Sequence, residues 1–308
     1  MSQAIDRSAE NPLDRRKFFA AAGAAGLGVA GVSVLGANGA FASDGGESKA
    51  AGDGPSDAAI LNFALNLEYL EAEFYLRAVT GEGLPDDLID GQGTLGQVRG
   101  GRKVDFQTKS IRDYAREITQ DEKDHVAFLR NALGSAAVAR PAIDIDAAFA
   151  AAAKAAGLGE GFDAYASEEN FLLAAYVFED VGVTAYKGAA PLVDNATFVE
   201  AAAGILAVEA YHASNIRTSI VAKGMQLQEA SNAISDARDS LDGSSDLDQG
   251  TLRDGKANIV PADRNGIAFS RSPGQVLNIV YLTPQQATSG GFFPDGANGE
   301  LNESADNS

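Results

Sequence analysis

The chain contains only two histidines, and each follows a glutamate by three positions, as Glu122-Lys123-Asp124-His125 and Glu209-Ala210-Tyr211-His212. Residues three apart share a helix face, so each pair can present one oxygen and one nitrogen to a single point. With 17 glutamates in 308 residues, the chance that both histidines carry this neighbour at random is about 0.003, so coincidence is a poor explanation of the doublet. Apolar residues bracket both pairs. Ala115, Ile118, Glu122, His125 and Leu129 are spaced 3-4-3-4, and Ala202, Ile205, Glu209, His212 and Ile216 repeat that spacing 87 residues later. A charged pair on an apolar stripe faces the core. Two more glutamates sit on such stripes, in Leu61, Leu65, Glu68, Ala72, Tyr75, Val79 and in Leu172, Tyr176, Glu179, Val183, Tyr186, Ala190. In both, a tyrosine follows the glutamate by seven residues.

Buried carboxylates cost several kcal/mol each unless something positive compensates them. Four glutamates and two neutral imidazoles leave a net −4, which two divalent cations balance. The expected metal ligands are therefore Glu68, Glu122, His125, Glu179, Glu209 and His212. An oxygen-rich, sulfur-free donor set suits two iron or two manganese ions, iron ahead of manganese, rather than zinc or Cu(I). Tyr75 and Tyr186 are expected to donate hydrogen bonds to ligand carboxylates, or simply to pack. Glu71 competes with Glu68 as the ligand of the first helix, and the mirrored Tyr75 favours Glu68. Glu73, Glu117, Asp121 and Asp124 read as solvated faces. Arg271 reads either as the partner of an acid on the bundle or as an exposed arginine.

Four helices must carry these residues. The first starts near Ser56-Asp57, both good N-caps, and stops at Gly81; a Gly-rich connection spans 81–106. The second runs from about Thr108 to Leu133, closed by Gly134. A long connection over 135–166 holds a short Ala-rich helix near 146–156. Ser167 caps the third helix, which ends before Pro191, and Asp194 or Asn195 caps the fourth, which ends at Gly224. The fold class is all-α: two similar helical hairpins joined by one long crossover. The chain divides into an N-terminal segment (1–42), a linker (43–55), the four-helix bundle (56–224) and an irregular tail (225–308) packed on it, with brief apolar runs that form a short helix or strand.

Apolar residues make up 45% of the chain, so a sizeable core is available, and the net charge of −19 argues against nucleic acid or an anionic membrane as partner. Absence of cysteine excludes disulfides, thiolate metal sites and thiol nucleophiles. Arg15-Arg16-Lys17-Phe18-Phe19, a mild Gly/Ala-rich stretch from Ala20 to Gly36 and Ala40-Phe41-Ala42 resemble a twin-arginine export signal, with Asp14 where Ser or Thr is more common. The resemblance implies cleavage near residue 42 and a protein of about −20 charge, periplasmic or extracellular, with no membrane attachment afterwards.

With the ligand motif in place, residues 56–224 resemble the ferritin-like superfamily. In the tail, Asn258-Ile259-Val260-Pro261, Phe269-Ser270-Arg271-Ser272-Pro273, Val276-Leu277-Asn278-Ile279-Val280-Tyr281 and Gly290-Gly291-Phe292-Phe293-Pro294 resemble the desiccation-related proteins of plants and bacteria. The resemblance implies a ferritin-like bundle with a dinuclear centre. Two functions suit it. One is an oxidoreductase passing two electrons to O2 or peroxide, as a ferroxidase or a catalase- or peroxidase-like enzyme. The other is a non-catalytic stress-protection or metal-sequestering protein whose metals stabilise the bundle. A storage cage is disfavoured, because the tail and the long 81–106 connection would obstruct its compact contacts; a homo-oligomer of low order is compatible.

Overall fold

A computed structural model describes residues 54–307. The segment expected to be an export signal and most of the expected linker lie outside the described residues. Helix α1 (Asp57–Thr80) begins where the Ser56 hydroxyl accepts from Ala59 N–H at 3.2 Å, and stops at Gly81, whose φ of 89° suits a residue without Cβ. Helix α2 (Lys109–Leu133) follows Thr108 and ends at Gly134. The crossover carries α3 (Ile145–Ala155), capped by Asp144. Helix α4 (Glu168–Ala189) is capped by Ser167, and α5 (Ala196–Lys223) by Asn195. Pro191 sits in a 3-10 turn, Ala190–Leu192, beyond the end of α4, as its missing N–H requires.

Helix α1 packs chiefly on α2, and α4 on α5, so the bundle is two hairpins. They face each other through α1 against α4 and α2 against α5. Two short strands, β1 (Val98–Arg99) and β2 (Ile143–Asp144), pair in parallel and pin the 81–106 connection to the crossover. Phe74, Phe149, Phe171, Phe178, Phe292 and Tyr165 form a buried aromatic cluster that joins α1, α3, α4 and the C-terminal region. Glu73 is not a solvated residue. It is fully buried, paired with Arg140 Nη1 at 2.5 Å and Arg77 Nε at 3.0 Å, and accepts from Leu84 N–H. The pairing ties the loops at one end of the bundle to α1.

Beyond Gly224 the structure departs from the expected irregular tail. Met225–Asp242 forms an 18-residue helix, α6. Its inward residues, Gln228, Ser231, Ile234, Ser235, Arg238 and Asp242, keep helical spacing but are mostly polar, so no apolar stripe announces them. A hairpin of β3 (Leu252–Arg253) and β4 (Lys256–Ala257) follows, and then α7 (Pro273–Tyr281), opened by a reciprocal cap between Ser272 and Gln275. The runs from Val276 to Tyr281 and at Phe292-Phe293 are buried against the bundle.

Buried ion pairs fasten this region. Arg217 of α5 and Arg238 of α6 share Asp180 of α4 at 2.7 and 3.2 Å, and Arg238 also meets Asp248 at 2.6 Å. Arg271 is buried, and its acidic partners are Asp242 (2.6 Å) and Asp248 (3.3 Å) of the C-terminal region; on the bundle it meets the Thr184 hydroxyl at 3.0 Å. Its backbone passes so close to α4 that a Cβ on Gly188 would lie 1.9 Å from the Arg271 carbonyl oxygen. Among the described residues, no helix is long and apolar enough to cross a membrane.

Candidate metal centre

The four long helices bring Glu68 (α1), Glu122 and His125 (α2), Glu179 (α4) and Glu209 and His212 (α5) together in the middle of the bundle. All six are buried. Their donor atoms form two interlocking groups, each within 4.8 Å: Glu68, Glu122, His125 and Glu209, and Glu122, Glu179, Glu209 and His212. Glu122 and Glu209 belong to both. His125 Nδ1 lies 3.2 Å from Glu68 Oε2 and 3.6 Å from both Glu122 and Glu209. His212 Nδ1 lies 3.1 Å from Glu122 Oε1 and 3.4 Å from Glu179 Oε2. The two rings are 6.4 Å apart.

Each tyrosine serves the opposite hairpin. Tyr75 on α1 donates to Glu179 on α4, and Tyr186 on α4 donates to Glu68 on α1. These bonds each hold one oxygen of a terminal carboxylate and leave the other directed at the centre. Both oxygens of Glu122 and of Glu209, Oε2 of Glu179 and Nδ1 of His212 are buried without a hydrogen-bond partner. Native interiors rarely leave one such atom unsatisfied, let alone six converging on one place. The donor set therefore fits cations.

The electrostatics agree. Burial raises Glu68 to about 7, partly offset by His125. Burial, then the neighbouring carboxylates, push Glu209 well above the carboxylate range. Burial also raises Glu179, against the pull of His212. Glu122 goes the other way: burial would raise it, but the two histidines beside it win and lower it. Burial would lower His125, yet Glu68 and Glu122 lift it to about 12, and Glu179, Asp121 and Glu122 lift His212 likewise. Protons thus neutralise the centre when no cation does.

Three residues around the centre escaped the sequence reading or were left open in it. Asp121 is no free surface acid: its Oδ2 lies 3.1 Å from His212 Nε2, on the far side of the ring from the carboxylates. Its one sequence signal is its place directly before Glu122. Glu71 is buried and raised by burial and by Glu122, Glu68 and Glu179, but it stands outside both donor groups, whereas Glu68 lies in one. Gly182 makes the close packing possible, since a Cβ there would sit 2.5 Å from Glu209 Oε2 and 3.5 Å from Glu71 Oε1. Glu117 and Asp124 are exposed, as expected of them.

One side of the centre is tightly packed, and a groove approaches the other as far as His212. Across α1 and α4, Val280 of α7 and Phe292 leave only a cavity of about 20 Å³ beside Glu71 and Gly182. Between α2 and α5 lies a groove of about 420 Å³, lined by Tyr114, Glu117, Asp121, Val208, Tyr211 and His212 among others.

A family model described as a ferritin-like domain matches residues 56–222, the same four helices that build the centre. The chain belongs to the ferritin-like family. Relatives of this ferritin-like protein extend the likeness into the C-terminal region. It is 30% identical to the desiccation-related protein PCC13-62 of Craterostigma plantagineum over 265 residues, 80% of this chain and 84% of that one. It is 27% identical to the ferritin-like catalase Nec2 of Nesocodon mauritianus over 268 residues, 80% of this chain and 85% of that one. No solved structure matches the chain.

Proposed function

We propose that this protein holds two iron or manganese ions and consumes peroxide, in protection against oxidative or desiccation stress. The observation that carries the reading is the pair of interlocking donor groups sharing Glu122 and Glu209, with their oxygens otherwise unpartnered. In this assignment Glu68 and His125 complete one position, Glu179 and His212 the other, and Glu122 and Glu209 serve both. Bound there, two redox-active metals would supply two-electron chemistry in both directions, giving two electrons to one peroxide to form water and taking two from another to form O2, without a one-electron radical product. The relative named as a catalase supports peroxide as the substrate. The relative named as desiccation-related supports the stress setting.

The chain's own residues have definable tasks in this chemistry. Tyr75 and Tyr186 orient Glu179 and Glu68 by holding one oxygen of each. Asp121 orients His212. The groove between α2 and α5 admits a small polar substrate, while α7 and Phe292 keep bulk water from the opposite face. Peroxide disproportionation by the metal-loaded protein, measured as O2 release against a metal-free control, tests the reading. No release above that control removes the catalytic claim.

A second reading is ferroxidase activity, favoured by the acidic lining of the groove at Glu117 and Asp121, which attracts Fe2+. Fe2+-dependent O2 consumption distinguishes it. Export by the twin-arginine route belongs to the proposal as well. It is supported by the Arg15-Arg16 motif and the Ala40-Phe41-Ala42 cleavage pattern, and fusion of residues 1–42 to a reporter tests it.

A further inference from the structure

The two hairpins relate the halves of the centre almost residue for residue. Glu122 and His125 on α2 correspond to Glu209 and His212 on α5 at an offset of 87 positions. Glu68 and Tyr75 on α1 correspond to Glu179 and Tyr186 on α4, and the tyrosines even exchange partners symmetrically. The symmetry fails behind the histidines. His212 Nε2 meets Asp121 Oδ2 at 3.1 Å, across the α2–α5 interface. The position on α5 that corresponds to Asp121 is Val208, which lines the same groove and offers no acceptor. Among the described residues, no side chain bonds His125 Nε2; every polar neighbour of that ring lies at Nδ1.

We infer that the two metal positions are unequal by construction: the His212 position binds first and tightly, and the His125 position is the weaker, exchangeable one. The inference rests on the dinuclear assignment above. Its physical basis is the carboxylate behind the ring. With Nε2–H donated to Asp121, the imidazole is fixed in the tautomer whose Nδ1 lone pair points at Glu122 and Glu179. A negative charge behind the ring also makes Nδ1 more basic toward a cation. Removing such a partner weakens metal binding by about 10- to 100-fold. His125 has neither the fixed tautomer nor the charge. The groove reaches His212 and Asp121 directly, so the carboxylate also meets an incoming cation first.

The test is calorimetric titration of the metal-free full-length protein with Co2+, with the visible absorption of the bound ion followed in parallel. Two ions sharing Glu122 and Glu209 repel each other, which separates the binding steps even in a symmetric centre, so the variants carry the decision. Asp121→Ala is expected to weaken the first step by roughly tenfold or more while changing the second by about twofold or less. Val208→Asp, at a half-buried groove position that matches Asp121 by the 87-residue offset, is expected to do the converse: it strengthens the second step by a similar factor and barely moves the first. That gain is not an outcome of damaged folding. Equal weakening of both steps by Asp121→Ala, or a second step unmoved by Val208→Asp, overturns the inequality and leaves the dinuclear assignment standing. Fewer than two ions bound by the unaltered protein overturns both.

Discussion

At the residue scale, the centre depends on a few side chains that cannot be exchanged for near relatives. Glu209 belongs to both donor groups and Glu68 to one. Glu209→Gln should therefore abolish metal retention, whereas Glu68→Gln, which leaves the tighter His212 position intact, should leave about one ion per chain, as elemental analysis would read. Similar metal content in both variants would contradict the shared role of Glu209. Gly182 gives a sharper case. Alanine is the better helix former by about 0.8–1 kcal/mol, yet its Cβ would lie 2.5 Å from Glu209 Oε2. Gly182→Ala should thus bind metal more weakly with little loss of helicity by circular dichroism. Unchanged metal affinity would mean that Glu209 has room to move.

At the scale of elements, the C-terminal region is part of the fold rather than an appendage. Helix α7 and Phe292 close the α1–α4 side of the centre. Arg271 joins α6 to the Thr184 hydroxyl of α4 through contacts that are all buried. Truncating it would leave Asp242 buried without its guanidinium, while Asp248 would keep only that of Arg238. Arg271→Ala should cost roughly 3–5 kcal/mol in chemical denaturation, the usual penalty for one partner of a buried pair. A cost below about 1 kcal/mol, the range of exposed pairs, would mean that the C-terminal region docks by its apolar residues alone.

At the scale of the whole molecule, the proposed metal ions would compete with protons for one buried cluster. In the metal-free protein, folding raises Glu68 from its ordinary 4.5 to about 7. A carboxyl raised in this way contributes stability fully below about pH 4.5 and loses it as the pH rises through about 7. The histidines act in the same direction. Folding lifts His125 from 6.5 to about 12, so its contribution is complete below about 6.5 and drains away above it. Metal binding has the opposite dependence, because the ligands must be deprotonated. The melting-temperature gap between metal-loaded and metal-free protein should consequently widen from about pH 5 to about pH 8. A gap that narrows over that range would mean that the cluster does not exchange protons for cations.

Much of this was legible in the chain itself. The doublet of Glu-x-x-His pairs, their constant offset and the matching Glu and Tyr stripes depend on helical periodicity, which is a local property. Ser56, Ser167 and Asn195 at helix starts, and Gly81 and Gly134 at helix ends, likewise act within a turn or two of backbone, so the four helices and their inward faces followed from sequence alone. What the sequence could not decide were pairings between distant segments. Glu73 reads like a surface acid until Arg140, 67 residues away, is seen beside it. Asp121 reads like one too, until α5 places His212 against it. Helix α6 buries polar residues whose partners lie on α4 and in the loop around Asp248, so no hydrophobic period marked it. A buried ion pair or a ring nitrogen's acceptor is defined by two elements at once, and only the packing of the hairpins and the C-terminal region against each other specifies which charges become partners.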